Sequence, residues 1–383
     1  MAQEKLNPPS TTGAVSLRER LHHFTWAWFT LTMSTGGIAL LFAVTPHTFR
    51  GLTTIGTIIF ILDLVLFVLL SAFILARFIM FPGTFTQSVY HPTESLFIPT
   101  FFITISTIIS CIQKYGYPST GPWLVVTLRI LFWMYVAITF TTAVLQYHLL
   151  FTGRPLTLQS MTPAWILPVF PVMLSGVVAS VISGSQPPHH AIPILIAGTT
   201  FQGLGLLISV FMYSNYVGRL MSNGLPSPNT RPGMFISVGP PSFTGLAFIG
   251  MANAAIEVFP HTFVLGTVAV PTAQVLKIVA VFLAIVLWSL SLFFFCISLL
   301  ATLDGIKQMS FHLTWWSFVF PNTGFIIAMI EIGTAIDSQA ILWISSVATV
   351  LQVVMWLLVF VAHARAVAKK QVLWPGKDED HDC

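Results

Sequence analysis

Ten apolar stretches, most of them long enough to cross a lipid bilayer, run through this sequence and restrict what it can fold into. Their approximate limits are 24–44, 52–79, 97–113, 123–151, 165–183, 191–217, 242–258, 274–303, 311–331 and 340–364. A helix needs about 20 residues to cross the hydrocarbon. The third and seventh stretches are short and carry polar residues. Only 7% of the 383 residues are charged, against about 25% in a typical soluble domain. So few charges cannot cover a water-facing surface, whereas lipid requires an apolar exterior. The expected fold is an all-α integral membrane protein of ten transmembrane helices. The polar N-terminal tail would span 1–20, the membrane domain 21–366 and a second polar tail 367–383. The first 20 residues do not read as a cleavable signal peptide. No N-x-[ST] acceptor occurs, so short outer loops are expected.

An even helix count puts both termini on one side. Twelve of the 16 basic residues fall on that side: Lys5, Arg18, Arg20, Arg77, Arg154, Arg219, Arg231, Lys307, Arg365, Lys369, Lys370 and Lys377. The other side receives Arg50, Lys114 and Lys277, and Arg129 lies inside the fourth stretch. The positive-inside rule then makes both termini cytoplasmic. The even stretches are plain runs of Leu, Ile, Val and Phe. The odd ones are interrupted, by Ser34-Thr35-Gly36-Gly37, Pro99, Pro163 with Pro168 and Pro171, Gly239-Pro240-Pro241-Ser242, and Phe320-Pro321-Asn322-Thr323-Gly324. Proline and glycine kink a spanning helix and free backbone groups, which is tolerated where protein or a cavity takes them up. The alternation predicts an inner ring of kinked helices around a path, inside an outer ring of plain ones.

No zincin, nucleophile-elbow, phosphate-loop or Cys/His zinc spacing occurs, and no His/Asp/Glu cluster converges at one depth. The chain reads as a non-enzyme with no cofactor, no metal and no nucleic-acid partner. Cys111, Cys296 and Cys383 have neither metal nor disulfide spacing. His22-His23 and His189-His190 read as solvated interface or loop residues. Gly203 and Gly205 read as helix-packing glycines.

Longer motifs point to a family. His23-Phe24-Thr25-Trp26-Ala27-Trp28-Phe29-Thr30 runs into Met33-Ser34-Thr35-Gly36-Gly37. Further on come His91-Pro92-Thr93-Glu94-Ser95-Leu96-Phe97, Trp165-Ile166-Leu167-Pro168, Arg231-Pro232-Gly233-Met234-Phe235 and Phe320-Pro321-Asn322-Thr323-Gly324-Phe325. From about 17 to 376 the chain resembles the fungal malic acid transporters of the tellurite-resistance/dicarboxylate transporter family, which also includes the plant slow anion channels. The resemblance implies five helical hairpins around a central anion path lined by the odd helices. It also implies a plasma-membrane location, and a homotrimer by analogy with bacterial and plant members. A family phenylalanine on the ninth helix plugs the path. It matches Phe320, or Phe318 if the alignment slips by two. The first-helix string and the tail Trp374-Pro375-Gly376-Lys377-Asp378-Glu379-Asp380 are nearer the malate branch than the sulfite exporters. The implied cargo is malate with related C4-dicarboxylates (succinate, fumarate), possible proton coupling being left open. Sulfite or another small anion, through a carrier or a channel, is the alternative.

Such an anion needs donors and positive potential along its path, because burying charge in hydrocarbon is costly. Candidate donors on the odd helices are Ser34, Thr35, Ser242, Thr244, Asn322 and Thr323, with Gly36, Gly37 and amides freed at the kinks. Arg77, Arg231 and Arg219 are the candidate carboxylate ligands, or else interfacial anchors. Asp63 and Glu331 are rare acids within spans and candidates for proton coupling. Asp63 is also placed to pair with Arg129.

Overall fold

The computed structural model describes residues 16–153, 157–260 and 271–374. Lys5, Arg154, Lys377, Cys383 and the outer parts of both predicted tails lie outside the described residues. Among the described residues there is no strand, and ten helices are long and apolar enough to span a membrane. They are α1 (Trp26–Val44), α2 (Leu52–Met80), α3 (Glu94–Gly116), α4 (Trp123–Thr152), α5 (Pro163–Ser185), α6 (Pro188–Asn223), α7 (Pro228–Val258), α8 (Thr272–Gln308), α9 (Leu313–Ala335) and α10 (Gln339–Ala368). Short helices at Leu17–His22 and Thr84–Tyr90 flank α1 and α3.

Packing sorts the ten spans by parity. Within the most apolar window of each span, 67–89% of residues are buried in the odd helices but only 22–39% in the even ones. The odd helices close a ring in the order α1, α3, α5, α7, α9 and back to α1, each packed on the next. The even helices seat in the outer grooves of that ring. α2 lies over α1 and α3, α4 over α3 and α5, α6 over α5 and α7, α8 over α7 and α9, and α10 over α9 and α1. The result is five hairpins around one axis. Exposed Ile, Leu, Val and Phe side chains on the even helices form the lipid-facing surface.

Every odd helix begins as 3-10 helix and continues as α-helix. The 3-10 segments are Trp26–Trp28, Glu94–Phe97, Pro163–Val169, Pro228–Val238 and Leu313–Phe318. Pro99, Pro171, Pro240 and Pro321 sit at the start of the following α segments, where a missing N–H costs no intrahelical bond. These composite starts explain why two spans run further upstream than hydropathy indicates. α3 begins at Glu94 instead of 97, and α7 at Pro228 instead of 242. Arg231, Pro232 and Gly233 interrupt the apolar run, yet Pro232–Val238 is buried.

Carbonyls released at the kinks are taken up by outer-ring side chains. Gln352 of α10 donates to the Phe318 and Val319 carbonyls at 3.2 and 2.9 Å. Tyr135 donates to Pro171 O at 2.8 Å, Tyr213 to Ser237 O at 2.8 Å, and Gln146 to Ser95 O. These outer-ring donors tie α4, α6 and α10 to the starts of the inner helices and add to the hydrogen bonds that their carbonyls accept there.

Candidate functional site

Two small cavities lie on the axis of the inner ring, one toward the 3-10 ends of the odd helices and one toward their far ends. All five odd helices contribute to each. The near cavity, about 20 Å³, is lined by residues including Thr30, Phe97, Leu167, Ile236 and Thr314. The far cavity, about 10 Å³, is lined by residues including Gly37, Ser106, Ser110, Val177 and Thr323. Each has room for about one water. Phe320 borders both. Its buried ring stacks on Phe243 at 4.9 Å between centroids and meets Phe170 at 6.0 Å, and Phe170 meets Phe243 edge-on at 5.7 Å. A Cβ on Gly37 would come within 3.3 Å of the Phe320 ring, so the missing side chain at 37 is what lets the ring reach the axis. Three aromatic rings thus shut the path between the two cavities.

The path is lined by hydroxyls and apolar groups. Most of the hydroxyls spend their proton on a carbonyl of their own helix: Thr30 on Ala27 O at 2.6 Å, Ser106 on Ile103 O at 2.7 Å, Thr107 on Thr104 O at 2.8 Å, and Thr323 on Val319 O at 3.0 Å. Two do not. Ser110 Oγ in the far cavity and Thr314 Oγ1 in the near cavity are buried with no hydrogen-bond partner. A buried hydroxyl without a partner is destabilising, and these two stand on opposite sides of Phe320.

Of the residues expected at the path, the structure brings Gly37, Phe320 and Thr323 to it and directs the others elsewhere. Ser34 donates to Trp316 O at 3.4 Å, and Thr35 accepts from Trp356 Nε1 of α10 at 3.3 Å. Ser242 donates to Ser291 of α8 at 2.8 Å, and Thr244 accepts from Gln202 of α6 at 2.9 Å. Asn322 donates to Phe318 O at 3.0 Å and faces a lateral groove between α8 and α10, which Phe318 also lines. The amides at the α9 kink are bonded too, Val319 to Trp316 O and Thr323 to Val319 O. An inner-ring residue has a lateral face as well as an axial one, and the outer helices claim it.

None of the three candidate arginines reaches the path. Arg77, only 2% exposed, pairs with Glu94 at 2.5 Å and donates to Phe24 O at 2.8 Å. It ties the end of α2 to the starts of α1 and α3. Arg231 pairs with Asp304 of α8 at 2.9 Å and donates to the Ala301 and Pro226 carbonyls. Arg219 donates to Gly224 O at 2.8 Å and closes the end of α6. All three are fixed by structural acceptors.

Of the two acids, Asp63 lacks its expected partner. Asp63 is fully buried, and neither carboxylate oxygen has a hydrogen-bond partner. It does not pair with Arg129. The inward face of α2 looks between α1 and α3, whereas Arg129 on α4 sits over the next groove, within electrostatic range of His190. Asp63 instead abuts the inner ring. A Cβ on Gly36 would fall 2.8 Å from Asp63 Oδ2 and 2.5 Å from Thr107 Oγ1. Glu331 lies four residues beyond Ile327, which lines the far cavity, and within electrostatic range of Lys114 and Lys277. Among the described residues, no three His, Cys, Asp or Glu side chains are grouped to hold a metal ion.

The sequence matches one protein family over most of its length. The model of the voltage-dependent anion channel family covers residues 23–364. The chain belongs to that family. It is 40% identical over 369 residues to a malic acid transport protein of Schizosaccharomyces pombe, covering 96% of this chain and 83% of the relative. A putative malic acid transport protein of the same yeast is 38% identical over 371 residues, covering 96% and 85%. A sulfite efflux pump of Arthroderma benhamiae is 26% identical over 341 residues, covering 89% and 90%. The resemblance drawn from the motifs is borne out, as is the ten-helix membrane fold.

Within this anion channel family member, the path residues that sequence reading passed over are Ser106, Thr107 and Ser110 on α3, Thr314 and Ser317 on α9, and the rings Phe170 and Phe243. A signal existed on α3, where Ser and Thr recur at 100, 104, 107 and 106, 110, the spacing of one helix face. For Phe170 and Phe243 no signal separates them from the other phenylalanines among 33 in the chain.

Proposed function

We propose that this chain carries malate and related C4-dicarboxylates, succinate and fumarate among them, through the inner ring without altering them chemically. The observation that carries this reading is a closed axial path with an unpartnered hydroxyl on either side of a single aromatic plug. Such a path offers donors to a small anion once the ring moves. The dicarboxylate class is supported by similarity that runs nearly end to end with a malic acid transport protein and is weaker with the sulfite pump. In this reading Phe320 is the gate, with Phe243 and Phe170 as its seat. Ser110, Thr314 and Thr323 hand the anion past it, and Gly37 leaves room for the ring. Asp63 and Glu331 are the acids that serve proton coupling. Asp63 and Thr107 both close on Gly36 of α1, so Asp63 lies just behind the wall of the far cavity. The protein works in the plasma membrane as a homotrimer. Both termini, with tails 1–20 and 367–383, face the cytoplasm, in line with the distribution of basic residues.

The test is uptake of labelled malate into proteoliposomes, with and without an inward proton gradient, for wild type and Asp63→Asn. Saturable uptake that a proton gradient raises in wild type but not in Asp63→Asn supports the reading. Flux of sulfite or chloride without malate from folded wild type overturns the cargo. Equal gradient dependence in both proteins removes Asp63 from the coupling.

A further inference from the structure

Beyond the far cavity, the axis ends in a group of charges that the path described above does not use. The face of α3 that supplies Ser106, Thr107 and Ser110 continues to Lys114, four residues past Ser110. The face of α9 that supplies Thr323 and Ile327 continues, by the same step of four, to Glu331. Glu331 lies within electrostatic range of both Lys114 and Lys277. Lys277 rises from the second turn of α8 and donates to Asn253 of α7. Glu257, near the end of α7, is folded against Gly184 of α5.

Lys114 sits in an unusual setting. It belongs to a π-helical turn, Ile112–Gly116, that ends α3. Such turns are rare and concentrate at functional sites. This one is pinned on both sides of the lysine. Gln113 accepts from Ser185 of α5 at 3.4 Å, and Tyr115 donates to Ala39 O of α1 at 2.6 Å. The turn is anchored to two neighbouring inner-ring helices, while Lys114 itself is exposed. The contrast with the opposite end is sharp, because there Arg77 and Arg231 are each held by an ion pair and by backbone carbonyls.

We propose that Lys114 and Lys277, with Glu331 as their shared counter-charge, form a capture site for dicarboxylates at the far mouth of the path. The proposal rests on the dicarboxylate reading above. One carboxylate of the cargo replaces Glu331 as the counter-charge of Lys114. The second lies toward Lys277, and the captured anion is then aligned with Ser110 below. Two cations that act on the same acid favour a dianion over a monoanion, since each added charge pair contributes its own Coulomb attraction. The exposed Lys114 also gives the mouth a local positive charge that attracts the anion. Glu331 acts as a built-in competitor that keeps the lysines from holding the cargo too long.

The experiment is zero-trans flux of labelled succinate in proteoliposomes of uniform orientation. KM and kcat are measured with succinate on each face, at low salt and at about 0.5 M salt. The proteins are wild type, Lys114→Gln, Lys277→Gln, Glu331→Gln, the charge-preserving Lys114→Arg, and Lys307→Gln as a control at the opposite end of α8. Lys114→Gln raises KM about tenfold, with kcat little changed, only when succinate is offered on the Lys114 face. The difference shrinks at high salt, Glu331→Gln lowers KM, and Lys114→Arg and Lys307→Gln resemble wild type. A KM within twofold of wild type on both faces for Lys114→Gln and Lys277→Gln overturns the capture site alone. Wild type that carries no succinate overturns the dicarboxylate reading and this site together, before any variant is examined.

Discussion

Replacing Phe320 with alanine deletes the ring that borders both axial cavities. To open the wild-type path, that ring must leave its stack with Phe243 and its tilted contact with Phe170. Each such pair is worth about 0.5–1.5 kcal/mol beyond burial, so two pairs hold the path shut by about 1–3 kcal/mol. At tenfold for about 1.4 kcal/mol, the Phe320→Ala protein passes anions about fivefold to a hundredfold faster than wild type. The deletion of a buried phenylalanine costs about 3–5 kcal/mol where the void stays empty. Here polar neighbours, Ser110 and Thr323 among them, let water occupy the space and offset part of that loss. The assay is anion current in voltage-clamped membranes, paired with flux into liposomes from protein that elutes as one species. Phe325→Ala is the comparison. Phe325 stacks on Trp288 at 4.9 Å and on Phe295 at 5.4 Å, away from the axis, so its loss lowers stability and leaves flux unchanged. Unchanged flux in well-folded Phe320→Ala, or an equal rise in Phe325→Ala, refutes the gating argument.

Three further outcomes follow from the geometry. Arg77→Ala leaves Glu94 buried without its partner and destabilises the protein by about 3–5 kcal/mol, read as a lower unfolding temperature in detergent. A variant with wild-type stability but a raised KM would return Arg77 to the substrate path. Gly36→Ala forces a methyl group to within 2.5 Å of Thr107 Oγ1 and 2.8 Å of Asp63 Oδ2 and costs about 1–3 kcal/mol by overpacking, whereas Gly203→Ala, with nothing within 4 Å of the added carbon, leaves the melting curve in place. Ser110→Ala and Thr314→Val each lower kcat/KM about tenfold to a hundredfold through loss of a hydrogen bond to a charged cargo worth about 1.5–3 kcal/mol. Their unfolding temperatures hold or rise, because neither hydroxyl has a partner to lose in the resting protein and each is costly to bury.

The bundle was legible in the sequence because membrane burial writes itself into composition. Lipid-facing helices have to be apolar all round, and inner helices have to carry the small and kinking residues. Parity could therefore be read from Pro, Gly and Ser alone. The start of α7 was not legible, since Arg231, Pro232 and Gly233 look like a loop to any hydropathy sum even though the residues that follow are buried. The candidate site was read less well, and for a related reason. A lone arginine near a span looks available until its partner is located, and Glu94 lies 17 residues from Arg77 across a turn. Asp63 and Arg129 share a plausible depth but occupy different grooves, which depth alone does not reveal. Gly203 and Gly205 looked equivalent, yet only Gly205 packs closely, against Met173 of α5.

The change from 3-10 to α geometry inside every odd helix has a mechanical consequence. The two helices differ by about 0.5 Å in rise and about 20° in rotation per residue. When the junction creeps by one residue, the segment beyond it turns like a screw while the outer scaffold stays seated in lipid. In α9 the junction falls at Val319, whose φ of −105° and ψ of −67° already depart from the α-helical values of the residues that follow. Phe320 is the next residue, so its ring swings with the first increment of that motion. Gln352, which grips both carbonyls at this point, is the pivot. Five such junctions ring one axis, so rewinding at any of them would turn an inner segment without sliding a hairpin past its neighbour.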